Sequence, residues 1–277
     1  MLQTGVSVRL DLTGRNWESW KATEWYSLGV SYENANAFRA AVFSEGYTKP
    51  PPNVEGNWTS TDKQGDPLSL DELPPPTLVS QGSQRFKLDI KENYVTWMDF
   101  AFYFSILRDQ GLSLYDIQYK GKRIMYELSL QEAVTSYAGS EPFASEATFY
   151  DGEAGFGTST QPLVRGYDCP SYATYLNATI SDGTGVKTQP DAICIFEYDT
   201  GYPIRRHSFS PAAPHTSVAK NIVFTIRTIA TVGNYDFMIE YNFYYDGAIE
   251  VSARASGYVK FSLHIVSKTN ANFKCSI

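Results

Sequence analysis

The chain has 277 residues, 43% of them hydrophobic and 15% aromatic, enough to bury a large core and biased towards strands. A formal charge of −7, with no block of Lys and Arg, argues against nucleic acid or anionic lipid as the main partner. No apolar run approaches the roughly 18 residues of a membrane helix, so no membrane span is expected.

The start, "MLQTGVSVRLDLTGRNW", has no apolar region of the kind a secretory signal needs. It opens on alternating Val6, Val8, Leu10 and Leu12, as a strand does. "EWYSLGVSY" is strand-like, and "NANAFRAAVFSEG" reads as a short helix. Asn34 caps it, Phe38 and Val42 share a face, and Gly46 ends it. Residues 1–46 thus read as a small α/β unit. Residues 47–84 hold two Pro-Pro-Pro runs, which favour a stiff, extended connector.

From Arg85 the pattern is strand after strand. "RFKLDI" alternates, and "YVTWMDFAFYFSIL" reads as one long strand covered on both faces. "LSLYDIQYKGKRIMYEL" is a hairpin turning at Lys120-Gly121-Lys122. In "SLQEAVTSYAG", Ser129 and Glu132 make a capping box, which predicts a short helix with Tyr137 near its C-terminal end. "NIVFTIRTI" is a strand, "TVGNYDF" a tight turn, and "YNFYY" and "AIEVSA" flank the hairpin signal Asp246-Gly247. The fold class is mainly β, a large β-sandwich over residues 85–277.

Familiar catalytic arrangements are missing. There is no Gly-rich phosphate loop, no G-x-S-x-G, no H-E-x-x-H and no Cys-x-x-Cys pair. His207, His215 and His264 are the only histidines. None stands in H-x-H or H-x-x-x-H spacing, so no standard metal site is expected, and each reads as a surface or loop residue. Asp151 in "FYDGEAGFG" follows two aromatics and precedes three glycines. An apolar setting would raise its pKa towards that of a general base, and the glycines would leave space beside it. The other reading is an ordinary Asp-Gly turn. Cys169 and Cys194, both beside strand-like residues, are a disulfide worth roughly 3 kcal/mol or two buried thiols; Cys275 reads as unpaired. Asn57 in "NWT" and Asn177 in "NAT" fit the N-glycosylation sequon.

"TVGNYDF", "LSLYDIQYKGKRIMYELSLQEAVTSYAGSEP", "FYDGEAGFG", "AICIFEYDTGYPIRRH" and "YYDGAIEVSARASGY" together resemble the copper-containing amine oxidases of eukaryotic type, from about Asp11 to Tyr258. The resemblance implies an enzyme that deaminates primary amines with O2, giving aldehyde, ammonia and hydrogen peroxide. It implies copper and topaquinone as cofactors. Tyr235 matches the tyrosine processed to topaquinone, the Schiff-base former, with Asn234 and Asp236 at the flanking motif positions; Asn234 would help orient the quinone. Asp151 matches the proton acceptor, Tyr137 the tyrosine that hydrogen-bonds the quinone oxygen, and Phe149 the aromatic gate of the substrate channel. Cys169 and Cys194 match the family's internal disulfide. Members are homodimers, secreted or peroxisomal.

The same resemblance marks a departure. The family's copper ligands are an H-x-H pair downstream of the quinone tyrosine and one further histidine. Here "KFSLHIVSKTNANFKCSI" supplies only His264, and the resemblance fades after about residue 258. The expectation is a chain truncated at both ends, with residues 1–46 the remnant of a small α/β domain, residues 47–84 a linker, and residues 85–277 a partial catalytic sandwich. No metal ligands are assigned, and the chain as given is expected to be inactive. The alternative is a non-catalytic β-rich binding or structural fragment.

Overall fold

A computed structural model describes residues 6–27, 30–49, 65–136, 148–208, 215–233 and 235–257. The chain divides into two compact units. The smaller is built from the described residues of Met1–Asp71 and Thr135–Phe149, and the larger from those of Glu72–Val134 and Tyr150–Tyr258.

In the smaller unit, β1 (Val6–Asp11), β2 (Lys21–Ser27) and β3 (Val30–Tyr32) form an antiparallel sheet in chain order. Helix α1 (Ala35–Val42) follows. The Asn34 side chain accepts the Ala37 N–H at 2.9 Å, satisfying a donor that the first turn leaves orphaned. Phe38 stacks on Trp25 at 5.3 Å and meets Tyr32 edge-on at 5.4 Å, so the apolar face of the helix packs half-buried against the sheet. The helix ends at Val42, ahead of Gly46; Phe43 caps it through an N–H donated to the Arg39 carbonyl. In residues 47–49 and 65–84, the described part of the proline-rich stretch, the backbone forms turns and extended segments with no strand or helix.

The larger unit is a sandwich of two five-stranded antiparallel sheets. The first runs β4 (Phe86–Asp89), β5 (Tyr94–Trp97), β6 (Phe100–Leu107), β7 (Gly111–Tyr119) and β8 (Lys122–Leu128). The chain then enters a short ribbon of β9 (Val134–Ser136) and β10 (Thr148–Tyr150), most of whose residues are counted with the smaller unit. The second sheet runs β11 (Thr174–Ser181), β12 (Val186–Ser208), β13 (Thr216–Val232), β14 (Tyr235–Tyr244) and β15 (Ile249–Gly257). Every strand pairs with its chain neighbour, so each sheet is a meander. Trp97, Phe102 and Leu114 of the first sheet share a core with Ile195, Phe224 and Phe243 of the second. The Phe102 and Phe243 rings stack at 4.6 Å. Each such side chain, fully buried, contributes about 2 kcal/mol.

Two expectations are corrected. "YVTWMDFAFYFSIL" is a hairpin, not one strand. Trp97 pairs directly with Phe100, and Met98 takes a positive φ of 49° in the turn. Only one face of β6 is fully covered: Phe100, Phe102 and Phe104 are buried while Tyr103 is exposed. Nor does a helix start at Ser129. The Ser129 hydroxyl donates to Glu127 Oε1 at 2.7 Å. The Glu132 carboxylate accepts the N–H groups of Ala133 (2.9 Å) and Gly152 (2.7 Å). Both halves of the capping box are engaged elsewhere, and the chain continues into β9.

The two turn signals behave as expected. Lys120 and Gly121 both have positive φ, 52° and 71°, which matches the right-handed twist of the paired strands. In the β14–β15 turn, Asp246 Oδ1 accepts the Ala248 N–H at 3.0 Å and Gly247 has φ 95°. Among the described residues, no helix is long and apolar enough to cross a membrane.

Candidate active site

Tyr235 opens β14. Its backbone pairs with Val232 of β13 on one side and with Gly257 of β15 on the other. Gly233 supplies the left-handed backbone of the intervening turn, φ 63°. Alternation along β14 puts Tyr235 and Phe237 on the core side of the sheet, with ring centroids 5.9 Å apart. Asp236 points to the other side, where its carboxylate accepts the Thr231 hydroxyl at 2.6 Å and ties the two strands together. Asn234 lies outside the described residues.

Asp151 begins a one-turn 3-10 segment, Asp151–Glu153, and is half-buried. Its N–H donates to the Ala133 carbonyl at 2.9 Å, and the Gly152 N–H to Glu132 Oε1 at 2.7 Å. The Ala154 N–H closes the turn on the Asp151 carbonyl at 3.2 Å. The glycines of "DGEAGFG" serve close approach, where open space beside the acid was expected. A Cβ on Gly152 would stand 2.7 Å from Glu132 Oε1, and one on Gly157 would run into the Leu107 carbonyl. The loop is fastened to the β6–β7 turn by N–H groups of Phe156 and Gly157, which donate to the Asp109 and Arg108 carbonyls at 3.0 Å each.

The structure brings the Asp151 turn and the Tyr235 hairpin onto one small apolar cluster. Phe156, Ala230 and Val232 are its buried members, with Leu130, Ala133 and Phe237 packed against them. Phe156 meets Phe237 edge-on at 5.4 Å, and Phe237 in turn touches Tyr235. Beyond Phe156 the chain runs along β13. The Gln161 N–H reaches the Ile229 carbonyl at 2.9 Å, and the Thr231 N–H reaches the Ser159 carbonyl at 3.0 Å.

The other expected site residues are placed less fully. Phe149 is exposed on β10. Tyr137 and His264 lie outside the described residues, as do Asn57 and Cys275. His207 stands on β12 opposite Ser217 of β13, and His215 just precedes β13; both are exposed. Among the described residues no group of three or more His, Cys, Asp or Glu side chains could hold a metal ion, so the described donor set does not fit copper. Cys169 and Cys194 form a disulfide. It lies in a second apolar cluster with Leu163, Ala173 and Phe196, and joins β12 to the segment before β11.

Sequence reasoning missed a buried ionic cluster on the Asp236 side of the sheet. The Glu240 side chain is 3% exposed. It accepts Arg227 Nε at 2.7 Å, Asn242 Nδ2 at 3.3 Å, and Arg254. Burial alone would raise its carboxyl; the Arg254 hydrogen bond and the Arg227 charge and hydrogen bond outweigh it and hold the group below its ordinary value. The available signal was the pairing of Arg227 with Glu240 directly across the β13–β14 hairpin. An open cleft of about 500 Å3 lies here, lined in part by Asp168, Arg227, Asp236 and Arg254.

The family model described as "Copper amine oxidase, enzyme domain" matches residues 89–276, and one described as "Domain of unknown function (DUF1965)" matches residues 1–66. Copper amine oxidase vicK1 of Bipolaris victoriae is 52% identical over 260 residues, covering 94% of this chain and 36% of that protein. The copper-containing diamine oxidase of Mus musculus is 30% identical over 277 residues, 92% of this chain and 36% of that protein. Among solved structures, Aspergillus nidulans amine oxidase superposes with a TM-score of 0.82 at 44% identity, covering 92% of this chain and 34% of that one. Pichia pastoris lysyl oxidase gives 0.80 at 35% identity, covering 92% and 35%. The chain therefore spans about a third of the length of the curated relatives it matches. With the enzyme-domain model running through both sheets of the sandwich, the chain belongs to the copper amine oxidase family.

Proposed function

We propose that this chain carries the quinone-forming and proton-abstracting segment of a primary-amine oxidase. The reaction converts a primary amine to an aldehyde, with one O2 and one water consumed and ammonia and hydrogen peroxide released. The observation that carries this reading is the Phe156 cluster, which ties the Asp151 turn to the Tyr235 hairpin in a chain of this family. Copper and topaquinone are the cofactors it implies, with Tyr235 as the quinone's precursor. The quinone, once formed, supplies an electrophilic carbonyl that takes up the amine nitrogen and two electrons.

In this reading the Asp151 carboxylate takes the proton from the carbon bearing the amine. Ala133 and Glu132 keep its turn from shifting, through the Asp151 and Gly152 N–H groups. Pairing on both sides of Tyr235 fixes where its ring is attached. By the resemblance, Phe149 stands at the position of the substrate gate, Tyr137 at that of the tyrosine that hydrogen-bonds the quinone oxygen, and Asn234 at that of the residue that orients the quinone. A homodimer also belongs to this reading. What supports it is the far part of the β12–β13 ribbon, from Pro203 with Lys220 to Ser208 with Thr216, where the two strands pair, among the described residues, only with each other. Its exposed Tyr202, Ile204 and Val218 give a second copy apolar surface to cover.

Because the described donor set does not fit copper, the test is to express this segment in place of its counterpart in a full-length copper amine oxidase that brings its own histidine ligands, with Cu(II) under air, map Tyr235 by mass spectrometry, and assay peroxide release from a panel of primary amines. The expected result is an oxidised Tyr235 and peroxide, with Tyr235→Phe giving neither. Asp151→Asn should keep the oxidised residue but lose turnover by roughly 100-fold or more. A plain Tyr235 in folded, copper-treated protein overturns the reading for this chain.

A further inference from the structure

We propose that Asn177 is an N-glycosylation acceptor, and that the chain is therefore made in the secretory pathway. Asn177-Ala178-Thr179 has the required N-x-T pattern with a residue other than proline in the middle. It lies on β11, the edge strand of the second sheet. Ala178 is buried while Asn177 and Thr179 are exposed, so both recognition side chains share the outer face.

The geometry at Asn177 separates the two ends of its amide. The β11–β12 register shifts between Leu176 and Ala178, and Asp191 opposite takes a positive φ of 48°. The Asp191 N–H, displaced from the ladder by this bulge, donates to Asn177 Oδ1 at 3.1 Å. The carbonyl oxygen is thus engaged towards β12, and Nδ2 has no hydrogen-bond partner among the described residues. Glycosylation takes the nitrogen and leaves the carbonyl. The modified side chain can keep its bond to Asp191, and the fold need not yield to carry the sugar.

The chemistry needs a co-reactant, an oligosaccharide linked to a lipid diphosphate in the endoplasmic reticulum. A bond forms between Nδ2 and C1 of the first N-acetylglucosamine. The C1–O bond to the diphosphate breaks, the lipid diphosphate leaves, and the amide nitrogen gives up one proton; no electrons change hands. The Cys169–Cys194 disulfide is compatible with that oxidising compartment. A glycan on this edge would also obstruct pairing of β11 with a strand from another molecule.

The test is to send the full chain through a yeast secretory pathway and map the Asn177 peptide, in both medium and cell extract, after amidase deglycosylation in heavy-oxygen water. Asn177 should be recovered as Asp carrying heavy oxygen. Thr179→Ser should keep the modification. Thr179→Val should abolish it while leaving Asn177 to hold Asp191. Because the sugar is added before folding is complete, a variant that folds poorly still reports from the cell extract. An unmodified Asn177 peptide in the wild-type chain overturns the proposal, and so does a modification that survives Thr179→Val.

Discussion

Glu132 Oε1 accepts the Gly152 N–H at 2.7 Å, so a side chain from the segment before β9 fixes the backbone next to Asp151. A Cβ on Gly152 would stand 2.9 Å from Glu132 Oε2 as well as 2.7 Å from Oε1, so the contact and the glycine require each other. Glu132→Ala should lower the local opening free energy of the Gly152 amide by about 1–2 kcal/mol. Its hydrogen exchange should rise roughly tenfold while strand amides of β13 and β14 stay protected. Unchanged exchange at Gly152 would mean that the bond does not restrain the turn.

The Glu240 cluster should respond unequally to its two arginines. Glu240→Gln leaves Arg227, whose side chain is 17% exposed, without its charge partner, and should cost about 3 kcal/mol in denaturant unfolding. Arg254 is 56% exposed, and Arg254→Ala should cost less than about 1 kcal/mol. Equal losses would show that burial is not what sets the strength of these pairs.

The two faces of β14 give the protein two pH limits. The Glu240 carboxyl is held below its ordinary value of 4.5. Its contribution is present at neutral pH and is lost as pH falls through the depressed folded-state value. At the alkaline end, burial pushes the Tyr241 hydroxyl from 10 up to about 12, and that hydroxyl donates to the Leu112 carbonyl at 3.0 Å. Its contribution is full below pH 10 and is lost between 10 and about 12. Thermal melts across pH should show both losses, and Tyr241→Phe should flatten the alkaline one.

Opening the Cys169–Cys194 bond, by paired replacement with alanine, should cost about 3 kcal/mol. Exchange should rise first between Leu163 and Ala173, which the disulfide clusters against β12. A stability unchanged on paired replacement would show that the Leu163 cluster holds that segment without the cross-link.

What could be read from the sequence follows how local the cause is. The Lys120-Gly121 and Asp246-Gly247 turns are set by the residues within them, and both hairpins form where expected. The small helix is likewise set by Asn34 and by the spacing of Phe38. Ser129 and Glu132 failed because Glu132 is claimed by Gly152, a residue twenty positions away, which no local pattern reports. The break at Met98 was hidden because a non-glycine residue takes the left-handed conformation there. Tyr235 could be singled out only through the resemblance, and the local setting of Asp151 left a general base and an ordinary Asp-Gly turn both open, since their shared cluster is built by Phe156, whose neighbours on β13 and β14 are distant in the chain. The Glu240 cluster escaped notice because its charges become neighbours only once the β13–β14 register is known.

The backbone of Tyr235, laced to Val232 on one flank and Gly257 on the other, behaves as a fixed post. Any reorientation that the phenol needs must come from rotation about its own Cα–Cβ and Cβ–Cγ bonds, like a door on two pins. Gly257 takes a positive φ of 127°, a backbone conformation open to glycine and strained for any residue with a side chain. A bulky residue at Gly257 would therefore loosen the post itself, at the strand end that holds it.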